Sequence, residues 1–495
     1  MMRHSMRWLG VAYCGLIVTN MATAQPSLIP GTGMPRSSAP TVPSDTVVPQ
    51  EMTPLPTATL PDPNGVSLTD DMNRELPNAP LSDLESLALA NHPSIQTAIA
   101  TISAAQGNAL QVGLYPNPNF IGGATQWGGS DTFWIGSMSQ EFVVANKLRL
   151  QRSAALQEVR QAEYNLTQTR FEVLTTVRAV FYRTLALQRR VEALTQLVEI
   201  AKKSFESGER LKRGGEGTLT DELQLKIQYR RAAAVLKSNE QQLAASKNSL
   251  AAVTGLPELK IGRLDGKLET PIPDMEYSLV RAGVLAQNAQ IGKAQAEIIR
   301  RRFLLRRAIV EPWPNPTIQS GYQYYTSFPH NQPILLASVP IPVWNRNQGG
   351  IRQARANVSG AAANLRVTET SLSNLTADAL GRLHSSTELV KEFEKEIVPA
   401  ATQTVQLAQA AYQGGQFSLL QLLQAQRDLV DANLGYIDAQ QGRWEAVVDI
   451  AQLLQLDNFP PIAPNGAESI EMVPEAEAPA APAPVPAPAP SEPAK

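Results

Sequence analysis

The residue types that most often carry chemistry are sparse in this 495-residue chain, which has one cysteine and four histidines. His92, His330 and His384 lie far apart, without the spacing of metal ligands, so we predict no metal site. No nucleophile elbow, phosphate-binding loop, zinc-protease helix or dinucleotide fingerprint occurs in a suitable context. The sequence therefore argues against an enzyme and against a bound cofactor.

Basic residues form one local cluster on a segment that we predict to be helical. The cluster consists of Arg300-Arg301-Arg302 with Arg306 and Arg307. It could face anionic phosphate groups or line an internal cavity, but a solvated helix face is the commoner arrangement. Across the whole chain 43 Lys and Arg residues nearly cancel 45 Asp and Glu residues, for a net charge of −2. The chain lacks the strong basic field of a nucleic-acid-binding protein, and we predict no such partner.

Both ends of the chain differ in composition from the middle. Residues 1–24 place two arginines before an apolar run and end in A-T-A, the pattern of a cleaved signal peptide. Cys14 lies inside the apolar run without the small preceding residues of a lipoprotein signal, which favours cleavage over lipidation. Residues 25–80 hold twelve prolines and residues 460–495 hold eleven. We predict a Pro-rich linker and a Pro/Ala-rich disordered tail.

The segment between these ends is predicted to be an internal duplication. Gly214-Gly215 recurs as Gly414-Gly415, at an offset of 200 residues. Pro116-Asn117-Pro118 recurs as Pro314-Asn315-Pro316, at an offset of 198. Because the matches keep their order and nearly keep their spacing, chance is a poor explanation. The two predicted repeats are residues 81–258 and 275–457.

Each repeat shows the same predicted order: a helix, two short strands, a long helix, a glycine turn and a second long helix. The first helix spans about Leu81–Gly113, with Ser82 and Glu85 as a capping box. Its counterpart spans about Tyr277–Val310. Apolar residues in 146–207 recur at steps of three and four, the heptad pattern of a helix packed lengthwise on its neighbours. The predicted strands are 119–127, 132–143, 316–325 and 334–343, and the predicted long helices are 146–213, 218–254, 351–412 and 418–456.

Alternating, aromatic-rich residues mark the predicted strands. Residues 317–324 alternate with period two, as transmembrane strands do. Two soluble hairpins packed on a core would alternate in the same way. Predicted export, and the lack of an apolar run of about 18 residues after the signal peptide, favour strands in a membrane. The aromatic residues that we assign to an interfacial girdle are Tyr115, Trp127, Trp134, Trp313, Tyr322, Tyr324 and Trp344.

Four strands per chain cannot close a barrel, and lipid does not tolerate an open sheet edge. Known small barrels have at least about eight strands. If the chain inserts, it must therefore oligomerise, with a dimer supplying eight strands and a trimer twelve. The predicted fold class is mainly α with a small β part, built on an internal two-fold repeat.

The ordered motifs resemble those of TolC-like outer-membrane efflux proteins over about residues 81–457. The resemblance implies a homotrimer in which a transmembrane β-barrel, with four strands from each chain, continues into a long antiparallel α-helical barrel in the periplasm. It implies a passive conduit in the outer-membrane lipid that serves a tripartite efflux pump or type I secretion system. The implied partners are a periplasmic adaptor and an RND- or ABC-type inner-membrane transporter. The motifs are Leu84 with Ala90-Asn91-His92-Pro93, Tyr115-Pro116-Asn117-Pro118, and the run from Phe417-Ser418-Leu419 to Arg427.

A weaker likeness concerns the cargo. Val144-Ala145-Asn146-Lys147-Leu148-Arg149 is similar to the corresponding segment of cobalt–zinc–cadmium resistance channels. It implies metal ions or small molecules as cargo.

The resemblance also assigns roles to the two glycine turns. Glycine permits close approach, and Thr218 and Ser418 can cap the helices that follow, although simple chain reversal needs the same residues. Asp221 is the single acidic residue among the positions implied for the aperture, so a trimer would carry one ring of three carboxylates and show weak cation preference. A first-turn acid favoured by the helix dipole explains Asp221 equally well. The implied adaptor-docking residues are Gly214, Gly215, Thr218, Gly414, Gly415 and Ser418, and the aperture candidates are Asp221, Gln224, Gln421 and Gln424.

A second class of function explains part of the sequence. An exported coiled-coil adaptor that tethers envelope layers would account for the heptads and for the Pro-rich ends. It would not account for the duplicated strand pairs with their aromatic residues. Extraction without detergent would favour the tether.

Overall fold

The computed structural model describes residues 75–125, 132–215, 217–325, 331–414 and 416–459. All of them belong to one compact unit, Ser67–Lys495. The predicted signal peptide, the tail and most of the predicted linker lie outside the described residues, as do Trp127, His330 and Gly415.

The described elements follow one order twice, with a short parallel strand pair added. The first half consists of β1 (Glu75–Pro80), α1 (Leu81–Asn91), α2 (Pro93–Gln111), β2 (Asn119–Thr125), β3 (Phe133–Glu141), α3 (Lys147–Arg213) and α4 (Leu219–Val253). The second consists of β4 (Lys260–Asp265), α5 (Tyr277–Gln287), α6 (Ala289–Val310), β5 (Thr317–Tyr325), β6 (Asn331–Ser338), α7 (Gln348–Glu392), α8 (Val398–Gln413) and α9 (Leu419–Leu454).

The first helix of each half is split in two, where the sequence predicted one continuous helix. Pro93 has no N–H to donate, so α1 ends at Asn91 and α2 begins at the proline. His92 lies between them, and its Nδ1 accepts a hydrogen bond from Ser94 N at 3.2 Å. Asn288 separates α5 from α6 without a proline, and its Oδ1 accepts a hydrogen bond from Gln290 N at 2.9 Å.

The capping box predicted for Ser82 and Glu85 is wrong. Pro80 is the residue that precedes α1, without a side-chain capping bond, and the Ser82 hydroxyl donates to Asp83 instead. Glu85 accepts a hydrogen bond from Arg178 of α3 at 2.5 Å. The tertiary ion pair takes the carboxylate that a local cap would have used.

Residues 75–80 form strand β1, although the sequence predicted a linker as far as residue 80. The strand pairs in parallel with β4, in a register that sets Glu75 opposite Lys260 and Pro80 opposite Asp265. Ala79 is fully buried. A two-stranded sheet tolerates prolines because each strand has a free edge, so the proline content of this segment concealed a strand.

The long helices pack side by side, and different helices are neighbours at the two ends of the molecule. Near the glycine turns the order of contacts is α4, α3, α9 and α8, whereas near the sheet it is α2, α3, α6 and α7. Helix α3 has 67 residues, about 100 Å at 1.5 Å per residue, and belongs to both sets of neighbours. Between α7 and α8 the helix widens into a π-helical turn, Phe393–Ile397, just before Pro399. A proline inside the predicted helix 351–412 accounts for a local defect there.

A central core joins the parallel strand pair to seven of the described helices. Its buried apolar side chains come from β1, α1, α3, α4, β4, α5, α6, α7 and α9. Trp444 is 1% exposed, donates from Nε1 to Leu268 O at 2.9 Å, and stacks on Tyr182 with the ring centroids 4.1 Å apart. Residues far apart in sequence therefore meet in one packed region.

The four remaining strands form one antiparallel sheet in the order β2-β3-β5-β6. The centre of the sheet is the pairing of β3 with β5, which joins the two halves. Strand β6 covers 331–338 rather than the predicted 334–343, because Pro340 and Pro342 lack the N–H groups that would extend the ladder. Among the described helices, none has a stretch apolar enough and long enough to cross a membrane.

Candidate functional site

The four-stranded sheet has one apolar face and one more polar face. Directly opposite residues share a face in antiparallel strands, and Met138, for example, lies opposite both Phe120 and Ser320. The apolar face carries exposed large side chains. The other face carries polar groups, including Gln319, which donates to Ser137 Oγ at 2.9 Å. The apolar-face residues are Phe120, Ala124, Trp134, Met138, Ile318, Tyr322, Tyr324, Leu335 and Ala337.

Among the described girdle candidates, five lie at two levels along the strands, and Tyr322 lies two residues before Tyr324 in β5. Trp134 and Tyr324 are a directly opposite pair near the end of the sheet away from the helices. Tyr115, Trp313 and Trp344 lie beside the other ends of the strands, where the chain meets the helices. The eight steps of β5 at about 3.4 Å each separate the levels by about 27 Å. The described girdle candidates are all exposed, from 41% for Tyr324 to 88% for Trp344.

A buried lysine fixes the junction between the sheet and α3. Lys147 is 4% exposed, and its Nζ donates to Trp313 O at 2.6 Å and to Asn315 Oδ1 at 3.1 Å. Asn315 in turn donates to Glu141 Oε1 at 2.7 Å. The charge of the ammonium is thus met by oxygens of the other half of the chain, as a buried charge requires. The sequence analysis named Lys147, the first residue of α3, only as part of the segment 144–149 and did not predict this site.

The first glycine turn reverses the chain between α3 and α4. Gly215 has φ +81°, a conformation that favours glycine. A capping box begins α4: Asp221 N donates to Thr218 Oγ1 at 3.1 Å, and Thr218 N donates to Asp221 Oδ2 at 3.4 Å. Beyond the cap, Lys212 and Glu222 form an ion pair across the hairpin. Gly214, Gly215 and Thr218 therefore all lie in a tight turn.

The second glycine turn, between α8 and α9, uses different chemistry. Gly414 has φ −81°, and its N–H donates to Ala410 O at 3.0 Å. Ser418 N donates to Gln421 Oε1 at 2.9 Å, so a neutral amide takes the place that Asp221 has in the first turn. Gly415 lies outside the described residues. Exposed Phe417 and Leu420 flank the turn, at 42% and 73% exposure.

A small apolar cluster, which we call the tip cluster, brings the two hairpins together. It consists of Leu225, Leu419 and Leu423, with Phe205 and Tyr412 packed against them. Burial, and then the nearby Asp221 carboxylate, raise the pKa of the Tyr412 hydroxyl. The tip cluster places residues from both repeats at the same end of the helices, which sequence spacing alone did not establish.

The aperture candidates differ in what their side chains do. Asp221 and Gln421 are held by the two helix caps. Gln224 is exposed, and Gln424 is also exposed and donates to Asp428 Oδ1 at 2.8 Å. The sequence analysis did not consider Asp428. Its position four residues after Gln424 was the available signal, because residues i and i+4 share a helix face.

The arginine cluster is largely neutralised by neighbouring carboxylates. Arg300 donates from Nε to Glu158 Oε1 at 2.8 Å, and Arg301 pairs with Glu297. Burial raises the pKa of the Glu297 carboxyl, but hydrogen bonds from Gln161 and Arg301, with the charges of Arg300 and Arg301, outweigh it and hold this pKa below its usual range. Arg302 and Arg306 are exposed. No group of three or more potential metal ligands occurs among the residues that the structure describes.

Comparison with known proteins identifies the fold and the family. The sequence profile of the family described as "Outer membrane efflux protein" matches residues 84–256 and 284–455. The cobalt-zinc-cadmium resistance protein CzcC of Cupriavidus metallidurans is 22% identical over 369 residues, which cover 74% of this chain and 88% of CzcC. The two matched segments of the profile fall on the two halves described above.

Solved structures agree with the profile. A membrane protein from Pseudomonas aeruginosa superimposes with a TM-score of 0.67 at 19% identity, over 76% of this chain and 92% of the other. The outer membrane protein VceC of Vibrio cholerae superimposes with a TM-score of 0.64 at 20% identity, over 76% and 95%. The coiled-coil tether considered above is thereby set aside. Because the profile covers most of its length, this chain belongs to the outer membrane efflux protein family and is an outer-membrane efflux channel rather than an enzyme, as its motifs predicted.

Proposed function

We propose that three copies of this chain form a passive conduit across the outer membrane and into the periplasm. In this assembly the four-stranded sheets join into a twelve-stranded barrel, and the helices join into a periplasmic tube. The observation that carries the proposal is the state of the sheet in a single chain: its apolar face is exposed, and its two outer strands, β2 and β6, each have one unpaired edge. Lipid requires such edges to be closed.

The helices support the same assembly. Helix α4 packs mainly on α3, and α8 mainly on α9, so both lie at the margins of the layer. Apolar side chains are exposed along α4, including Leu223, Ile227 and Val235, and along α7 and α8, including Val367 and Leu407. In a closed ring each margin would cover the other. The duplicated order of elements suits such a ring, because each chain then supplies two similar segments.

The first experiment is the native mass of the full chain extracted from outer membranes in mild detergent. We expect three mature chains per particle. A monomer or a dimer would overturn the trimeric conduit. Recovery without detergent would overturn insertion of the sheet.

The two glycine turns are the proposed docking surface for a periplasmic adaptor, which in turn would connect the channel to an inner-membrane transporter. The support is that turns from both repeats lie at one end of the helices, beside the tip cluster, with apolar Phe417 and Leu420 exposed. Backbone exposed at the glycines would allow a partner helix to approach closely.

Gly414 offers the sharpest test of docking. A Cβ at Gly414 would meet Ala410 O at 3.6 Å, an ordinary contact, so Gly414→Arg adds bulk without forcing the turn open. We expect Gly414→Arg to lose efflux complementation while the amount of assembled protein in the outer membrane is unchanged. Gly414→Ala is the matched control and should keep activity. Full activity of Gly414→Arg would contradict the docking surface.

Metal ions are the proposed cargo, with small organic molecules as the alternative. The support is the likeness to CzcC, whose name states cobalt–zinc–cadmium resistance. A host that lacks its own channel, supplied with this chain and a cognate adaptor and transporter, should gain tolerance to these cations. A gain limited to organic toxicants would favour the alternative.

A further inference from the structure

The pairing between β3 and β5 inside one chain allows the pairing between chains to be read residue by residue. We propose that β6 of one copy pairs with β2 of a second copy in antiparallel register, with Ser338 opposite Ile121. The inference rests on the proposed trimer and goes beyond it, since a trimer could close in several registers. A slip of two residues would leave the same faces aligned.

The register follows from three observed pairings. In the first hairpin Asn119 lies opposite Ser139. In the second hairpin Thr317 lies opposite Ser338. The offset of 198 residues set by the repeated Pro-Asn-Pro places Thr317 on Asn119, so Ser338 is the counterpart of Ser139.

The β3–β5 pairing, which joins the two halves, then serves as the template for the β6–β2 pairing between copies. Ser139 lies opposite Gln319 in the β3–β5 ladder. The counterpart of Ser139 is Ser338, and the counterpart of Gln319 is Ile121 at the same offset of 198. If the second junction repeats the first, Ser338 must face Ile121 of the next copy.

The sides of the strands agree with this register. Ala337 would lie opposite Gly122, and Leu335 opposite Ala124. Gly122 lies between Phe120 and Ala124 on the same side of β2, so all four residues are on the apolar face. Leu335 is 76% exposed in a single chain and Phe120 is 74% exposed. Pairing at this edge therefore continues the apolar face from one copy to the next without a break.

The prolines near the end of β6 agree with the hydrogen-bonding phase of this junction, which a slip of two residues would share. Phe142 N donates to Pro316 O at 2.9 Å, which fixes the hydrogen-bonding phase of the β3–β5 ladder. In the second junction the same bond runs from Ile341 N to Pro118 O of the next copy. The N–H groups that then point to the open edge belong to Leu335, Ala337, Val339 and Ile341. Pro340 and Pro342 fall at the alternate positions, where no inter-chain bond is lost. Pro333 falls at an edge position and supplies no N–H there.

Disulfide cross-linking of the full chain in the outer membrane tests the register. In a Cys14→Ser background the pair Ser338→Cys with Ile121→Cys is a directly opposite, non-hydrogen-bonded pair, with Cα atoms about 4.5 Å apart, within disulfide range. We expect mild oxidation to give two- and three-chain species on denaturing gels. Two slipped controls keep Ser338→Cys and move its mate to Asn119 or Gly123, about 7–8 Å away. These should cross-link weakly.

A matched positive control exists inside the chain. Ser139→Cys with Gln319→Cys reproduces the same geometry at the observed junction, and should give a disulfide within one chain. If this control closes, three-chain native mass is retained, and a slipped pair cross-links best, the register is overturned while the trimer stands. If the parent is not a trimer, the proposed function itself is overturned.

A second measurement avoids substitutions. Hydrogen exchange of the native particle should show the amides of Ala337 and Val339 protected, because both bond to the next copy in this scheme. Rapid exchange at these two amides, in a particle of three chains, would contradict the pairing.

Discussion

The central core and the two glycine turns differ in how far their large side chains are buried. In the core, Trp444 and Arg178 are each 1% exposed, and both make hydrogen bonds to residues far away in the sequence. At the turns and along the sheet edges, apolar side chains such as Leu420 and Leu335 remain exposed. The core is therefore packed within a single chain, whereas the turns and sheet edges keep apolar surface that a partner could cover.

The most damaging change to the core should be Trp444→Ala. It removes a fully packed indole, its hydrogen bond to Leu268 O and its stacking on Tyr182. Truncation of a buried tryptophan costs about 3–5 kcal/mol of unfolding free energy. Denaturant unfolding of the detergent-solubilised protein measures the loss. Trp344→Ala, at 88% exposure, is the matched control and should change stability little. Similar losses of unfolding free energy for the two variants would contradict the proposed difference between the buried core and the exposed residues.

Arg178→Ala should cost somewhat less, about 3 kcal/mol. The guanidinium bonds Glu85, Leu456 O and Asp457 O and lies 4.5 Å from the Phe459 ring centroid. Its removal leaves a partly buried carboxylate and two carbonyls without their donor. Glu85 keeps 15% exposure, which limits the cost. Arg170 contacts Asp457 at an exposed position, and Arg170→Ala should have almost no effect on the melting temperature.

Substitution of alanine for glycine should lower the stability of the protein at the first turn but not at the second. Gly215→Ala places a side chain at φ +81°, which costs about 1–2 kcal/mol. Gly414→Ala has φ −81° and ordinary contacts, so it should be neutral. Thermal unfolding of the two variants measures the difference. Equal melting temperatures would mean that the turns do not differ in the way their backbones indicate.

The cap of α4 should matter slightly less. Thr218→Ala removes the hydroxyl that accepts from Asp221 N, for a loss of about 1 kcal/mol. Thr218→Ser keeps the cap and should restore stability. No recovery with serine would assign the loss to packing of the methyl group instead.

The smallest expected effect concerns pH. Burial raises the pKa of the Glu85 carboxyl above 4.5, more than the Arg178 hydrogen bond and charge lower it. The folded state therefore binds this proton more tightly than the unfolded state does. The resulting contribution to stability is complete below pH 4.5 and is lost as the pH rises through the raised pKa. Glu85→Gln should flatten the stability profile in that window. An unchanged profile would show that another group titrates there.

Sequence reasoning located the long helices closely because heptads and glycine turns act locally. Helix α3 occupies 147–213, against a predicted 146–213, and α4 occupies 219–253, against 218–254. The break at Pro93 also had a visible local signal that the helical periodicity outweighed. By contrast, the break at Asn288 has no proline and depends on its side-chain cap.

The residues that the sequence did not reveal owe their positions to distant partners. Glu85 pairs with an arginine 93 residues away, and Lys147 bonds an asparagine 168 residues away. Strand β1 is identified only by its pairing with β4. Local patterns contain no record of such contacts, so they predicted a cap, an ordinary helix start and a linker. The turn at Gly214-Gly215 and the Thr218 cap could be predicted because glycine and threonine act within a few positions of themselves.

The parallel pairing of β1 with β4 sets an order of events during synthesis. Lys260 follows its partner Glu75 by 185 residues. At about 5–20 residues per second, β1 exists for about 10–40 s before its mate is made. During that interval Leu76 and Ala79, buried in the finished protein, lack the β4 side of their packing. However early its own residues are made, β1 therefore completes its pairing only after the segment that joins the two halves has been made.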